Sequence, residues 1–293
     1  MFRGVYTALV TPMRDGRLDD DALTRLVEDQ IRAGIQGLVP CGTTGESPTL
    51  SYAEHVHVVE IVVRAARGRV PVLAGAGSNS TREAIELARA CKELGVAGTL
   101  QITPYYNKPS QEGLIAHFTA IADTVGLPVI VYNVPSRTGV DLLPDTLAKL
   151  SRHPMIRGVK EATGDMIRAA HVRELCGPDF IMLSGDDFTL LPFLSLGTDG
   201  VISVISNLVP GMIAALCKAA HDRRWDEARE LHYRQLPLCR ALFCKSNPIP
   251  LKTAFVMLGK LAPEIRLPLV LLERNSLEYE QLALALKTAG VLA

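Results

Sequence analysis

The feature that most constrains this chain is an alternation repeated eight times. Short, almost continuous apolar runs begin near Val5, Gly37, Val70, Gly98, Leu127, Ile156, Phe180 and Val201. Runs such as "PVIVY", "FIMLS" and "GVISV" lack the polar alternation of half-exposed strands, as expected of parallel strands covered on both faces. The segments between them carry the helical period. Leu23, Leu26, Val27 and Ile31 share a face before Gly34, and Ala84, Leu87, Ala88, Cys91 and Leu94 do so before Gly95. Leu114, Ile115, Phe118, Ile121, Ala122 and Val125 repeat this before Gly126. Eight strand-then-helix units in about 220 residues predict an α/β fold, a (β/α)8 TIM barrel. An open doubly wound sheet uses the same units, but no nucleotide-binding glycine fingerprint is present to support it.

Beyond residue 224 the pattern changes. "RWDEARELHYRQLPLCRALF", "NPIPLKTAFVMLGK" and "SLEYEQLALALKTAG" read as helices with no strands between them. The expected organisation is a barrel over 1–224 and a C-terminal helical extension over 225–293, packed on the barrel. At 293 residues and 48% hydrophobic, the chain can bury one large core or two small ones.

Charge and cysteine usage narrow the function classes. Lysine plus arginine number 31, as do aspartate plus glutamate, so no strong field points to nucleic acid or a membrane surface. No apolar run reaches the roughly 18 residues of a spanning helix. The start, "MFRGVYTALVTPMRDG", is interrupted by Pro12 and Arg14 and reads as a first strand rather than a signal peptide. Cys41, Cys91, Cys176, Cys217, Cys239 and Cys244 form no C-x-x-C pair. They are expected as reduced, mostly buried thiols of a cytoplasmic protein. His55 and His57 would face different sides of a helix, so no metal site is expected there.

In such a barrel the active site forms at the carboxyl ends of the strands. There the sequence sets "CGTTGE" (41–46), "GAGSN", "TPYYN", "YNVPSRTG", "KEATG", "SGDD" and "SVISN". Lys160 ends an apolar run. It could snorkel to solvent, but Glu161 is not its partner, because neighbouring strand residues point to opposite faces. Turned inward, its amine is desolvated, which favours the neutral nucleophile that forms imines with carbonyl compounds. Tyr132, at the end of the preceding strand, is either a packed aromatic or the proton carrier that imine chemistry needs. The "GTTGE" turn offers hydroxyls and backbone N–H groups to a carboxylate, or simply caps the next helix. The planar fork of Arg137 suits a second carboxylate or a surface ion pair. The specific signal is their joint placement on adjacent strand ends.

Through "ALVTPM", "GTTGES", "TPYYNKPSQEGL", "YNVPSRTG", "KEATGD", "LSGDD", "SNPIPLK" and "IRLPL", the chain resembles the dihydrodipicolinate synthase family. That family belongs to the pyruvate-dependent, class I aldolase-like superfamily that includes N-acetylneuraminate lyase. The resemblance spans essentially the whole chain. It implies an enzyme of lysine biosynthesis that condenses pyruvate with L-aspartate 4-semialdehyde, without metal or cofactor. Lys160 is then the Schiff-base residue. Thr43 and Thr44 hold the pyruvate carboxylate, and Tyr132, Thr43 and Tyr106 form a proton relay, with Tyr106 reaching in from the partner subunit. Arg137 binds the semialdehyde carboxylate, and Gly185 and Ile202 line the pyruvate pocket. The resemblance further implies a homo-oligomer, a dimer at least and a tetramer by expectation. It also implies an L-lysine effector site at Ser47, His55, Asn79, Glu83 and Tyr105, where Pro48 and Tyr52 replace residues often alanine and histidine. The "STRE" segment is also a capping box, which gives Glu83 a second reading. Ile205 and Ser206 stand where many relatives have Thr-Ala, and Cys41 where valine is frequent. Rival readings are another pyruvate-dependent aldolase and a non-catalytic metabolite-binding barrel.

Overall fold

The computed structural model describes residues 2–292. The strands are β1 (Gly4–Ala8), β2 (Met13–Arg14), β3 (Arg17–Leu18), β4 (Gly37–Val39), β5 (Leu73–Gly75), β6 (Gly98–Ile102), β7 (Val129–Asn133), β8 (Ile156–Glu161), β9 (Ile181–Ser184) and β10 (Gly200–Ser203). Apart from the β2–β3 hairpin, all are parallel, in the order β4-β1-β10-β9-β8-β7-β6-β5. A parallel bridge between Leu38 and Val72 closes the ring. The expected (β/α)8 barrel is therefore present.

The outer layer contains α1 (Asp20–Arg32), α2 (Tyr52–Ala66), α3 (Thr81–Glu93), α4 (Gln111–Val125), α5 (Pro135–Thr138), α6 (Pro144–Leu150), α7 (Met166–Cys176), α8 (Leu190–Ser195) and α9 (Pro210–His221). The chain ends with α10 (Trp225–Leu242), α11 (Ile249–Met257) and α12 (Leu277–Thr288). Among the described residues, no helix is long and apolar enough to cross a membrane.

Strand alternation makes two cores. Phe2, Tyr6, Val39, Leu73, Leu100, Ile130, Leu183 and Ile202 fill the inside of the barrel. Val5, Leu38, Val129, Val131, Val159 and Met182 face the helices. A side chain at Gly37 would collide with the ring of Tyr6, so glycine there gives this aromatic its place inside.

Two local features differ from the expectation. β5 begins at Leu73 rather than near Val70, because Arg69 still closes a turn onto the Ala66 carbonyl at 3.0 Å and Pro71 has no N–H for a ladder. The β2–β3 hairpin was not anticipated. Its two-residue turn is Asp15-Gly16, with φ of 53° and 76°, the conformation that Asp-Gly favours between antiparallel strands.

Candidate active site

The parallel register of β7 and β8 sets Tyr132 beside Lys160. The alternation turns both inward, and Lys160 Nζ lies 4.1 Å from the centroid of the Tyr132 ring. Both residues are buried at the barrel's carboxyl end, at 7% and 6% exposure. Gly185 follows β9, and a Cβ there would lie 3.0 Å from Lys160 Cε and 3.2 Å from Cγ. Its missing side chain is the space the lysine stem occupies. Ile202, 1% exposed and in register with Tyr6, lies in the same interior cluster.

The outer faces of the same strand ends are braced. Glu161 turns away from Lys160, and its carboxylate accepts from Arg168 Nε at 3.0 Å. Arg168 Nη1 donates to Asp141 at 2.9 Å, and Asn133 Nδ2 donates to Asp141 at 3.0 Å. This partly buried network ties β7, β8, α7 and the loop after α5 together.

The "GTTGE" turn closes on itself. Gly45 N–H donates to the Gly42 carbonyl at 3.0 Å and Glu46 N–H to the Thr43 carbonyl at 3.1 Å. Thr11 holds the Gly45 carbonyl at 2.7 Å. Thr44 is buried, and Asn247 Nδ2 donates to its hydroxyl at 2.8 Å. Glu46, in a left-handed conformation at φ 57°, makes a fully buried ion pair with Lys252 of α11 and accepts from Arg266 N–H at 3.0 Å. Burial lowers the Lys252 pKa from its ordinary value, against the opposing pull of Glu46. Asn247, Lys252 and Arg266 were missed as site-supporting residues. The signals are the "SNPIPLK" segment for Asn247 and Lys252 and the "IRLPL" segment for Arg266.

A cavity of about 720 Å³ opens beside this turn, lined by Thr43, Ser47, His55, Glu83, Tyr105 and Arg137, among others. Arg137 reaches it from the four-residue α5. Four of the five residues of the expected effector site thus share a cavity with Thr43 and Arg137. The fifth, Asn79, is not among the lining residues; it donates to the Tyr105 carbonyl at 3.2 Å and braces the wall. His55 is buried, and its Nε2 donates to the Gly75 carbonyl at 2.7 Å, which leaves only Nδ1 for a ligand. Burial lowers its pKa from the ordinary histidine value.

The capping box is only half formed. Ser80 accepts from Glu83 N–H at 3.4 Å, but the Glu83 carboxylate accepts from Ser78 Oγ at 2.8 Å. Ser80 N–H goes to Ser78 Oγ as well, at 3.1 Å. Tyr106, at φ 73°, is 89% exposed and is not on the cavity wall. A second cavity, about 890 Å³, lies between α1 and residues 255–262 and contains none of the expected site residues. Among the described residues, no group of three or more His, Cys, Asp or Glu could hold a metal ion.

A buried lysine under a tyrosine ring and a clamped hydroxyl-bearing turn both lie at the carboxyl end of this (β/α)8 barrel, the end at which enzymes of this fold carry their active sites. The sequence pattern of the Dihydrodipicolinate synthetase family matches residues 1–289, and the chain belongs to that family. It is 54% identical over 292 residues to a 4-hydroxy-tetrahydrodipicolinate synthase of Nitratidesulfovibrio vulgaris, covering 99% of each chain. Its fold matches a dihydrodipicolinate synthase of Acinetobacter baumannii, solved with pyruvate and described as chloride-inhibited, with a TM-score of 0.97 and 45% identity over 100% of both chains. It matches the enzyme of Cyanidioschyzon merolae solved with lysine bound at a TM-score of 0.96 and 41% identity, over 99% of both chains. The chain is thus an enzyme of lysine biosynthesis, and none of these likenesses points to the neuraminate-lyase or binding-protein alternatives.

Proposed function

We propose that the chain condenses pyruvate with L-aspartate 4-semialdehyde through a Schiff base on Lys160. The observation that carries this is the buried Lys160–Tyr132 pair, with Gly185 leaving room for the lysine stem. The Lys160 amine attacks the pyruvate ketone, and Tyr132 moves protons as the carbinolamine loses water to a protonated imine. The imine draws electrons from the methyl group, which gives up a proton to form an enamine. The enamine carbon attacks the aldehyde. The substrate's amine then displaces Lys160 and closes the ring, so the overall reaction releases one water and yields 4-hydroxy-tetrahydrodipicolinate.

In this assignment Thr43 and Thr44 hold the pyruvate carboxylate. Arg137, on the cavity wall shared with Thr43, holds the semialdehyde carboxylate. Tyr106 completes the relay of a partner subunit in a homo-oligomer; its exposure supports a role outside its own barrel. L-Lysine binds the cavity at Ser47, His55, Glu83 and Tyr105, with Asn79 bracing Tyr105. The ion pair between Glu46 and Lys252 supports treating 225–293 as a region packed on the barrel 1–224. Six free cysteines agree with a cytoplasmic setting. A coupled assay with aspartate semialdehyde, run beside one with sialic acid, tests the proposal. Turnover only with the semialdehyde supports it, and turnover only with sialic acid overturns it.

A further inference from the structure

The Thr44 hydroxyl has one proton to give and lone pairs to receive. Asn247 Nδ2 occupies the receiving side at 2.8 Å. Thr44 is 2% exposed and Asn247 6%, so water does not freely compete for this contact. Asn247 is itself held on both sides. Ile249 N–H closes a turn onto Ser246 at 2.9 Å, and Lys252 N–H onto Pro248 at 2.9 Å. Lys252 in turn is anchored to Glu46, at the end of the same turn that carries Thr44.

We propose that Asn247 is a positioning residue of the active site: by donating to Thr44 Oγ1 it directs the Thr44 proton toward the carboxylate of pyruvate. This rests on the assignment of Thr44 to that carboxylate. A threonine hydroxyl can act as donor or acceptor, and a carboxylate can only accept. A neighbour that could itself accept would compete for the proton, whereas a neighbour that only donates here leaves it to the substrate. Asn247 Oδ1 has no protein partner, so the side chain's one protein hydrogen bond is the one to Thr44. The turn that grips the substrate is thereby set from a segment about 200 residues away, at a sequence separation of 203.

The test reads the pyruvate concentration that half-saturates borohydride-trapped adduct at Lys160. Thr44→Val should raise it. Asn247→Ala, which frees the hydroxyl to rotate, should raise it about 3- to 10-fold, the size of one ordinary hydrogen bond. Asn247→Asp has nearly the same shape but accepts the Thr44 proton and sets a charge near the bound carboxylate. It should raise the value more than the alanine change, about 10- to 100-fold. Its deficit relative to wild type should shrink as the pH falls toward 5, where the new carboxyl, pushed to protonate by burial and a like charge, regains a donor. A milder effect for Asn247→Asp than for Asn247→Ala, or an aspartate deficit that ignores pH, would overturn the inference and leave Asn247 as packing. The pH trend of the isosteric Asn247→Asp variant decides the matter alone if the alanine variant does not fold. An unchanged value for Thr44→Val would instead overturn the carboxylate assignment beneath it.

Discussion

Glu46 and Lys252 form a fully buried ion pair between the "GTTGE" turn and α11, with side-chain exposures of 1% and 2%. Arg266 N–H adds a bond to the same carboxylate, and the Glu264 carbonyl accepts from Lys252 Nζ at 3.1 Å. Both charges are balanced by partners, so the C-terminal region acts as a clamp on the "GTTGE" turn.

Removing one side of that clamp leaves the other charge buried alone. Lys252→Met should destabilise the protein by about 3–5 kcal/mol, the usual cost of an orphaned buried charge. Pairing it with Glu46→Gln should recover part of the loss. Urea unfolding of the two variants checks this. A double variant no more stable than Lys252→Met would show that the stranded Glu46 charge is not the source of the loss.

Arg137→Ala should keep the trapping of pyruvate but lose turnover with aspartate semialdehyde. Loss of a charge-assisted contact to a carboxylate costs about 10- to 150-fold in kcat/KM. Steady-state kinetics at saturating pyruvate measure it. An unchanged response to the semialdehyde would make Arg137 a surface residue that happens to line the cavity.

Much of this site was legible in the sequence because each strand is covered on both faces and each is followed by its own loop. The apolar runs located the strands, and alternation alone separated Lys160 from Glu161, which the structure pairs with Arg168. The Asp15-Gly16 hairpin is also legible by its turn residues. The clamp was not legible. No local pattern relates Thr44 to Asn247 or Glu46 to Lys252, because such contacts are fixed by how the last helices dock on a barrel already closed. The half-formed capping box has a local cause instead: Ser78, two residues before the cap, competes for both Glu83 and Ser80.

Tyr106 should act across subunits. Tyr106→Phe and Lys160→Ala homo-oligomers, each inactive, should regain activity when their subunits exchange, since some mixed dimers hold one intact site. Exchange followed by native mass spectrometry, together with the coupled assay, tests this. Complete exchange with no recovered activity would place the whole relay within one chain.

L-Lysine should inhibit, and Glu83→Ala should abolish the inhibition. Burial lowers the pKa of His55 below the ordinary histidine value, which favours its neutral form. Repulsion between a protonated His55 and the ligand's amine is therefore absent near neutrality, and inhibition should hold its strength between pH 8 and about 6.5. Rates against L-lysine at limiting pyruvate, taken across this range, measure it. A flat response into the tens of millimolar, far above the roughly 1 μM–1 mM usual for small-metabolite sites, would remove the effector assignment.

One mass measurement tests the covalent chemistry of Lys160 directly. The protein is incubated with pyruvate and borohydride, digested and mapped. A reduced pyruvate adduct is expected on the peptide carrying Lys160 and none on Lys160→Ala. A wild-type protein that turns over both substrates yet never yields an adduct on Lys160 would contradict that chemistry.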